Sequence, residues 1–367
     1  MTDLRNMILQ DWASPAVAVF CLAQIGLVGL IDFLTGPDLS FSIFYLAPVL
    51  TAAWFSNRTV AIAVSVGSAI VWLVLDVGTS HPYPNPVIPF WNAGVRLGFF
   101  LITGYLAANL KLHLKIEKEK ADAELKIAHD IQMSLLPGRS PSFPGQETIQ
   151  VSARLEPARM VGGDFYDFFF LDADHFFFCI GDVSGKGISA ALLMAKTMNL
   201  IKLCPKETQL PSDIMDAVNT EICAGNDVFF FITVFCGVLN TRTGEITYTN
   251  AGHNPPLHLR KNRSATYLPL ARTTALGIDA ASVYVSERLR LAPGDILFMY
   301  TDGITDTFGS GQQVSGEDGL KEALLHSGGR DLDGVVTSVF NQAKSDPGPD
   351  AQHDDITLLA IAYGPEL

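Results

Sequence analysis

The chain has 367 residues, of which 48% are hydrophobic, and a formal net charge of −13; its mean hydropathy is +0.26. That is too apolar for one soluble domain of ordinary composition, and it implies a membrane part joined to a globular one. The acidic balance, with no basic stretch interleaved with aromatics, excludes nucleic acid as a partner. Five cysteines without a Cys-x-x-Cys pair read as reduced residues of a cytosolic core.

In chain order, four apolar runs come first, at 14–34, 39–55, 59–75 and 92–110. Each approaches the length a bilayer requires, and the first lacks a cleavable-leader pattern. Arg5, Arg58 and Lys111, Lys115, Lys118 and Lys120 flank the runs, whereas 35–38 and 77–91 hold no Lys or Arg. Cationic flanks stay cytoplasmic, so the pattern predicts a multi-pass protein of the bacterial inner membrane with both ends inside and an all-α four-helix transmembrane domain. Asp32, Asp76 and Arg96 then fall near the outer face. Charge within a span is costly unless paired, which predicts an Asp32–Arg96 or Asp76–Arg96 pair. The alternative is an outward sensor pocket with His81, Tyr83, Phe90 and Trp91 above it.

From Lys111 the composition turns charged and helical, up to Pro137. Leu114, Ala121, Ala128 and Leu135 keep a heptad step, with Lys118, Leu125 and Gln132 on the alternate seam. Such a seam makes a poor permanent coiled coil: it fits either a solvated helix with no partner or a weak parallel coiled coil, the expected homodimer through this helix. The expected domains are a transmembrane sensor domain at 1–110, a cytoplasmic linker helix at 111–137 and a catalytic domain at 138–367. Within the last, strands are expected at 148–155, 163–171, 175–183, 229–239, 245–251, 284–291, 295–301 and 355–363, with helices at 187–203, 212–224, 317–327 and 331–344. Strands and helices grouped in this way imply an α+β sandwich.

Chemistry gathers at the strand ends. The run Phe176-Phe177-Phe178-Cys179-Ile180 stops on Gly181-Asp182-Val183-Ser184-Gly185-Lys186-Gly187. A nucleotide P-loop would need Ser or Thr after the lysine, where Gly187 stands. The construction recurs in Gly162-Gly163-Asp164-Phe165-Tyr166-Asp167, in Tyr300-Thr301-Asp302-Gly303 and in His353-Asp354-Asp355-Ile356-Thr357. Four strand ends each offer an aspartate. Carboxylates brought together raise one another's pKa and need cations, and all-oxygen donors favour magnesium or manganese.

These motifs, with Asn250-Ala251-Gly252-His253-Asn254-Pro255-Pro256 between them, resemble the PPM-type metal-dependent serine/threonine phosphatases. Within that family they are most similar to the branch of the stage II sporulation phosphatase and the stress sigma-factor regulators, over roughly residues 124 to 364. The resemblance implies an α-β-β-α sandwich and two Mn²⁺ or Mg²⁺ ions that activate a water for attack on phosphorus. It implies that Asp182 bridges the ions and the Val183 carbonyl completes one shell, with Asp302 and Asp354 opposite and Asp164 on the other ion. Asp355 competes with Asp354 for the last ligand position. Asp167 either supports the site or caps a turn, Arg159 is a candidate phosphate contact, and Gly185 lies at the metal-bridging turn. Ser184 stands where eukaryotic members carry a histidine thought to protonate the leaving group, so the general acid is unassigned. His253 and Asn254 order a turn.

The implied substrate is a phosphoserine or phosphothreonine protein, most plausibly an anti-sigma-factor antagonist. The contrasting reading is a non-catalytic membrane receptor using the same fold to bind partners. A diguanylate-cyclase reading of Gly162-Gly163-Asp164-Phe165 leaves the other motifs unexplained.

Overall fold

A computed structural model of the chain describes residues 14–36, 41–78, 83–204, 210–226, 229–269, 271, 273–309, 315–327, 331–345 and 354–364. Arg5, His81 and His353 lie outside the described residues. The chain divides into two compact units, one up to Glu124 and one from Leu125 onward.

The first unit is helical. Helix α1 spans Ser14–Thr35, a 3-10 turn at Ser42–Tyr45 leads into α2 (Leu46–Phe55), and α3 (Arg58–Gly78) and α4 (Ile88–Leu135) follow. Val17, Cys21 and Ile25 of α1 pack against Val49, Trp72 and Phe100 of the other helices. The outer faces are apolar as well, with Leu22, Leu30, Ile70, Val74, Phe99 and Leu106 exposed. A helix apolar on all sides suits lipid rather than water.

Among the described residues three helices are long and apolar enough to cross a membrane, α1, α3 and α4. The remaining expected span, 39–55, corresponds to a shorter apolar helix. The second apolar run folds as Ser42–Phe55, which rises about 21 Å against a hydrocarbon core of about 30 Å. Pro48 sits in the first turn of α2, where its missing N–H costs nothing.

The second unit holds two five-stranded antiparallel sheets. Strands β1 (Ile149–Glu156), β2 (Phe165–Phe170) and β3 (His175–Val183) precede helices α5 (Ile188–Leu203) and α6 (Pro211–Cys223). Then come β4 (Ile232–Asn240), β5 (Glu245–Ala251), β6 (Leu257–Leu259), β7 (Ala265–Tyr267), β8 (Glu287–Arg290) and β9 (Ile296–Tyr300). Helices α7 (Asp302–Gly309), α8 (Gly316–His326) and α9 (Leu332–Ser345) precede β10 (Ile356–Tyr363). One sheet has the order β1-β10-β9-β6-β7 and the other β2-β3-β4-β5-β8.

Period-two alternation explains the layering. Phe176, Phe178 and Ile180 join Tyr166, Met299 and Leu359 between the sheets. Phe177 and Cys179 point the other way, onto Met194, Ile201 and Val218 of α5 and α6. Phe298, Leu358 and Ala360 meet Leu324 and Val336 of α8 and α9 on the opposite outer face. Strands covered on both faces must be apolar at every position, as the aromatic run of β3 is. The result is the expected α-β-β-α sandwich. Each fully buried Phe here contributes roughly 1.5–3 kcal/mol.

Candidate active site at the open end of the two sheets

The same alternation aims the acids. Phe178 and Ile180 face the intersheet core, so Asp182, two residues on, continues that row where the sheets diverge. Tyr166 places Asp164 on the same side; Leu359 and Thr357 do so for Asp355. Asp164 is buried, and its Oδ2 accepts from the Thr301 and Thr357 hydroxyls at 2.7 and 2.6 Å. The Thr357 N–H in turn donates to the Thr301 hydroxyl at 3.0 Å. Two threonines from one sheet thus fix the aspartate that enters the other sheet.

Asp355 is held by backbone amides. Its Oδ1 accepts from the Ala158 N–H and its Oδ2 from the Gly163 N–H, each at 2.7 Å. It therefore organises the loop that carries Asp164. Asp354 is partly exposed, with Lys186 Nζ at 2.9 Å from its Oδ2. A Cβ on Gly163 would stand 2.6 Å from the Val183 carbonyl oxygen and 3.3 Å from Asp182 Oδ1, so only glycine allows the two strand ends to meet there. Gly185 adopts φ +90° in the turn after β3, with the Phe230 ring against it.

Electrostatics follow from this crowding. Burial, and then Asp302 and Asp354, push the Asp182 carboxyl up to about 7. Burial also raises Asp302, with Asp354 and Asp306 adding to it. Burial raises Asp164 well above the usual carboxylate range, with Asp182 and Asp355 adding to it while Thr357 and Thr301 oppose it. Among the described residues no three His, Cys, Asp or Glu side chains are gathered tightly enough to enclose an ion as placed. The donor set nevertheless fits hard divalent cations, being carboxylates and one carbonyl whose mutual repulsion a cation would relieve.

Other expected residues fall elsewhere. Asp167 is three positions from Asp164, so it faces the α5 layer, where Lys202 Nζ lies 3.0 Å from its Oδ2. Asp167 is buried and Lys202 half-exposed, and the pair lies outside the acid cluster. Arg159 is exposed on the loop after β1. The Ser184 hydroxyl oxygen accepts from the Phe231 N–H at 2.9 Å, and the Ser184 N–H donates to the Phe231 carbonyl. That serine shapes the turn.

His253, expected to order a turn, does so across both sheets. Its Nε2 lies 3.1 Å from the Tyr300 carbonyl and its Nδ1 2.9 Å from the Thr233 hydroxyl. A carbonyl only accepts, so Nε2 carries the proton and Nδ1 accepts from Thr233. Burial pushes this imidazole down to about 4 and keeps it neutral. Gln132 on α4 was read as a seam residue; it is buried, donating to the Gly162 carbonyl at 2.7 Å and accepting from the Gly162 N–H at 3.2 Å. Thr301, Thr357 and Gln132 were not singled out for these roles. Their strand parity and the polar residue among apolar helix positions were the available signals.

An α-β-β-α sandwich with acids at one open end defines a phosphatase-type fold. The SiaA PP2C domain of Pseudomonas aeruginosa shares it at TM-score 0.58 and 20% identity, over 67% of this chain and 98% of that one. The PP2C domain of SpoIIE with a fragment of its regulatory domain, from Bacillus subtilis, does so at TM-score 0.52 and 17% identity, over 58% and 63%. Residues 172–364 match the family described as stage II sporulation protein E (SpoIIE), and the chain belongs to that family. Protein IcfG of Synechocystis sp. is 28% identical over 266 residues, covering 65% of this chain and 41% of that protein. The phosphoserine phosphatase RsbU of Bacillus subtilis is 29% identical over 189 residues, covering 52% and 55%. The chain thus spans about half the length of the relatives it matches.

Proposed function

We propose that the chain is a membrane-attached signalling phosphatase that hydrolyses phosphoserine or phosphothreonine on a regulatory protein. The observation that carries this is the meeting of Asp164, Asp182, Asp302 and Asp354 at the sheet ends, where burial first and neighbouring carboxylates second raise the pKa of Asp164, Asp182 and Asp302. Asp164, Asp182, the Val183 carbonyl, Asp302 and Asp354 are the residues that would hold two Mn²⁺ or Mg²⁺ ions. Such ions, when bound, lower the pKa of a water and neutralise charge on phosphoryl oxygens. The chain's own part is positional. Thr301 and Thr357 fix Asp164, Asp355 fixes the loop behind it, and His253 ties Tyr300, one residue before Thr301, to Thr233 on the opposite sheet. Asp354 rather than Asp355 is the ligand in this reading, because Asp355 is taken by backbone amides.

Membership of the SpoIIE family, and phosphoserine phosphatases among the relatives, support an anti-sigma-factor antagonist as the substrate. The three long apolar helices support a location in the bacterial inner membrane, with the second unit in the cytoplasm. Exposed Ile116, Ile127 and Ile131 on α4 offer a face for homodimerisation, whereas Gln132 is engaged within its own unit.

The test is phosphate release from a phosphoserine peptide by the full chain in detergent, with Mn²⁺, Mg²⁺ or chelator, beside Asp182→Asn. Metal-dependent turnover that falls at least a hundredfold, about 2.7 kcal/mol of transition-state stabilisation, in the variant is expected. A folded chain that binds manganese and releases no phosphate would instead be a partner-binding receptor.

A further inference from the structure

The acid cluster leaves a problem for its own substrate, since a phosphomonoester dianion must approach five neighbouring carboxyl groups. Among the described residues, Lys186 is the cation ion-paired to these acids, at 2.9 Å from Asp354 Oδ2. Its charge also acts on Asp302. Both partners of the pair are about one-third exposed, at 36% and 34% of their side chains, so the ammonium stands at the mouth of the site in contact with solvent. An ion pair this exposed contributes little to stability and exchanges partners readily.

The turn that presents Lys186 is firmly built. Gly185 and Gly187 on either side have φ +90° and +83°. Ser184 is bonded twice to Phe231, the Phe230 ring lies against Gly185, and α5 begins at Ile188. Asn226 secures the other strand of this clasp, exchanging hydrogen bonds with the Phe230 N–H and carbonyl. A lysine on so fixed a turn, aimed at the acids rather than away from them, is placed to meet an anion entering between them.

Resting on the phosphatase reading, we infer that Lys186 binds the phosphoryl oxygens of the substrate, its ammonium passing from Asp354 to phosphate as the substrate enters. Lysine acts on phosphate as a point charge with three donors, so arginine should substitute in part. Lys186 forms no bond to phosphorus and takes no proton in this role.

The experiment uses the full chain in detergent with saturating Mn²⁺, comparing wild type, Lys186→Gln and Lys186→Arg. KM and kcat are measured on a phosphoserine peptide, and the dissociation constants of inorganic phosphate and of Mn²⁺ by calorimetry. In Lys186→Gln, KM and the phosphate dissociation constant should both rise roughly tenfold or more, with kcat changed by less than about threefold and Lys186→Arg recovering most of the loss. Unchanged KM and phosphate affinity in Lys186→Gln would overturn the assignment. So would a shift in Mn²⁺ affinity alone, which would make Lys186 only a counter-ion of Asp354. A wild type that releases no phosphate would overturn the phosphatase reading itself, visibly before any variant is compared.

Discussion

His253 shows how a residue outside the acid cluster sets its geometry. It is neutral in the fold because burial holds it down to about 4, whereas in the unfolded chain it titrates near 6.5. A group whose folded pKa is depressed favours the fold when deprotonated. For this imidazole the stability is therefore complete above about pH 6.5 and is lost as the pH falls towards 4. His253→Gln should lower the calorimetric transition of the second unit at pH 7, and the gap to wild type should narrow by about 2 kcal/mol between pH 7 and 5. A gap independent of pH would show that the imidazole is not the neutral strut between Thr233 and Tyr300. The residue scale is also where the sequence was most and least informative. Asp164, Asp182, Asp302 and Asp354 stand out because each ends or begins an apolar strand. Asp167 misleads until parity is counted, since three residues from Asp164 is an odd step and puts it on the helix side with Lys202. Asp355 and Asp354 are adjacent acids whose separate partners, backbone amides and Lys186, only folding reveals.

At the scale of elements, the last part of helix α4 belongs to the second unit. Its last turns lie on the loop that leads into Asp164, through His129 to the Met160 carbonyl at 2.6 Å and Gln132 to both backbone groups of Gly162. Removing the Gln132 amide leaves a buried carbonyl and N–H to find other partners, which costs about 1–3 kcal/mol if they find none. Because that loop is also held by Asp355, the cost should appear locally: Gln132→Ala should weaken Mn²⁺ binding and phosphate release by about tenfold, roughly 1.4 kcal/mol, while the melting transition of the first unit stays put. Wild-type metal affinity and rate in Gln132→Ala would remove α4 from control of the site. The long strands and helices were legible because their apolar periods run for a full element. Strands β6 and β7, three residues each, carry no period, and α7 begins on Asp302-Gly303, which reads as a turn. Strand β4 begins at Ile232 rather than 229 because Asn226 takes the Phe230 N–H and Phe229 turns to φ +56°.

For the molecule as a whole, the proposed orientation in a membrane rests on α3 and α4 rather than on the number of spans before them. Helix α3 begins at Arg58, whose guanidinium lies 5.1 Å from the Tyr105 ring centroid on α4, so the start of α3 is beside the part of α4 that leads into Lys111. Arg58 and the lysines at 111–120 therefore share one side whether or not the short Ser42–Phe55 element crosses. The other ends bring Asp76, Tyr83 and Arg96 together: the Tyr83 hydroxyl donates to Asp76 at 2.9 Å, and Arg96 stacks on Trp72 at 3.6 Å. Arg96 lies within the field of the expected acids Asp76 and Asp32, and its guanidinium also donates to the Asn92 carbonyl at 3.3 Å. In the proposed membrane placement, cationic flanks on the cytoplasmic side would put the segment before α4 outside. In intact cells, with the native cysteines replaced, Asn85→Cys should react with a membrane-impermeant maleimide and Glu119→Cys should react only after permeabilisation. The reverse pattern would place the acid cluster outside, away from any cytoplasmic phosphoprotein, and would leave the proposed substrate class without access to the site.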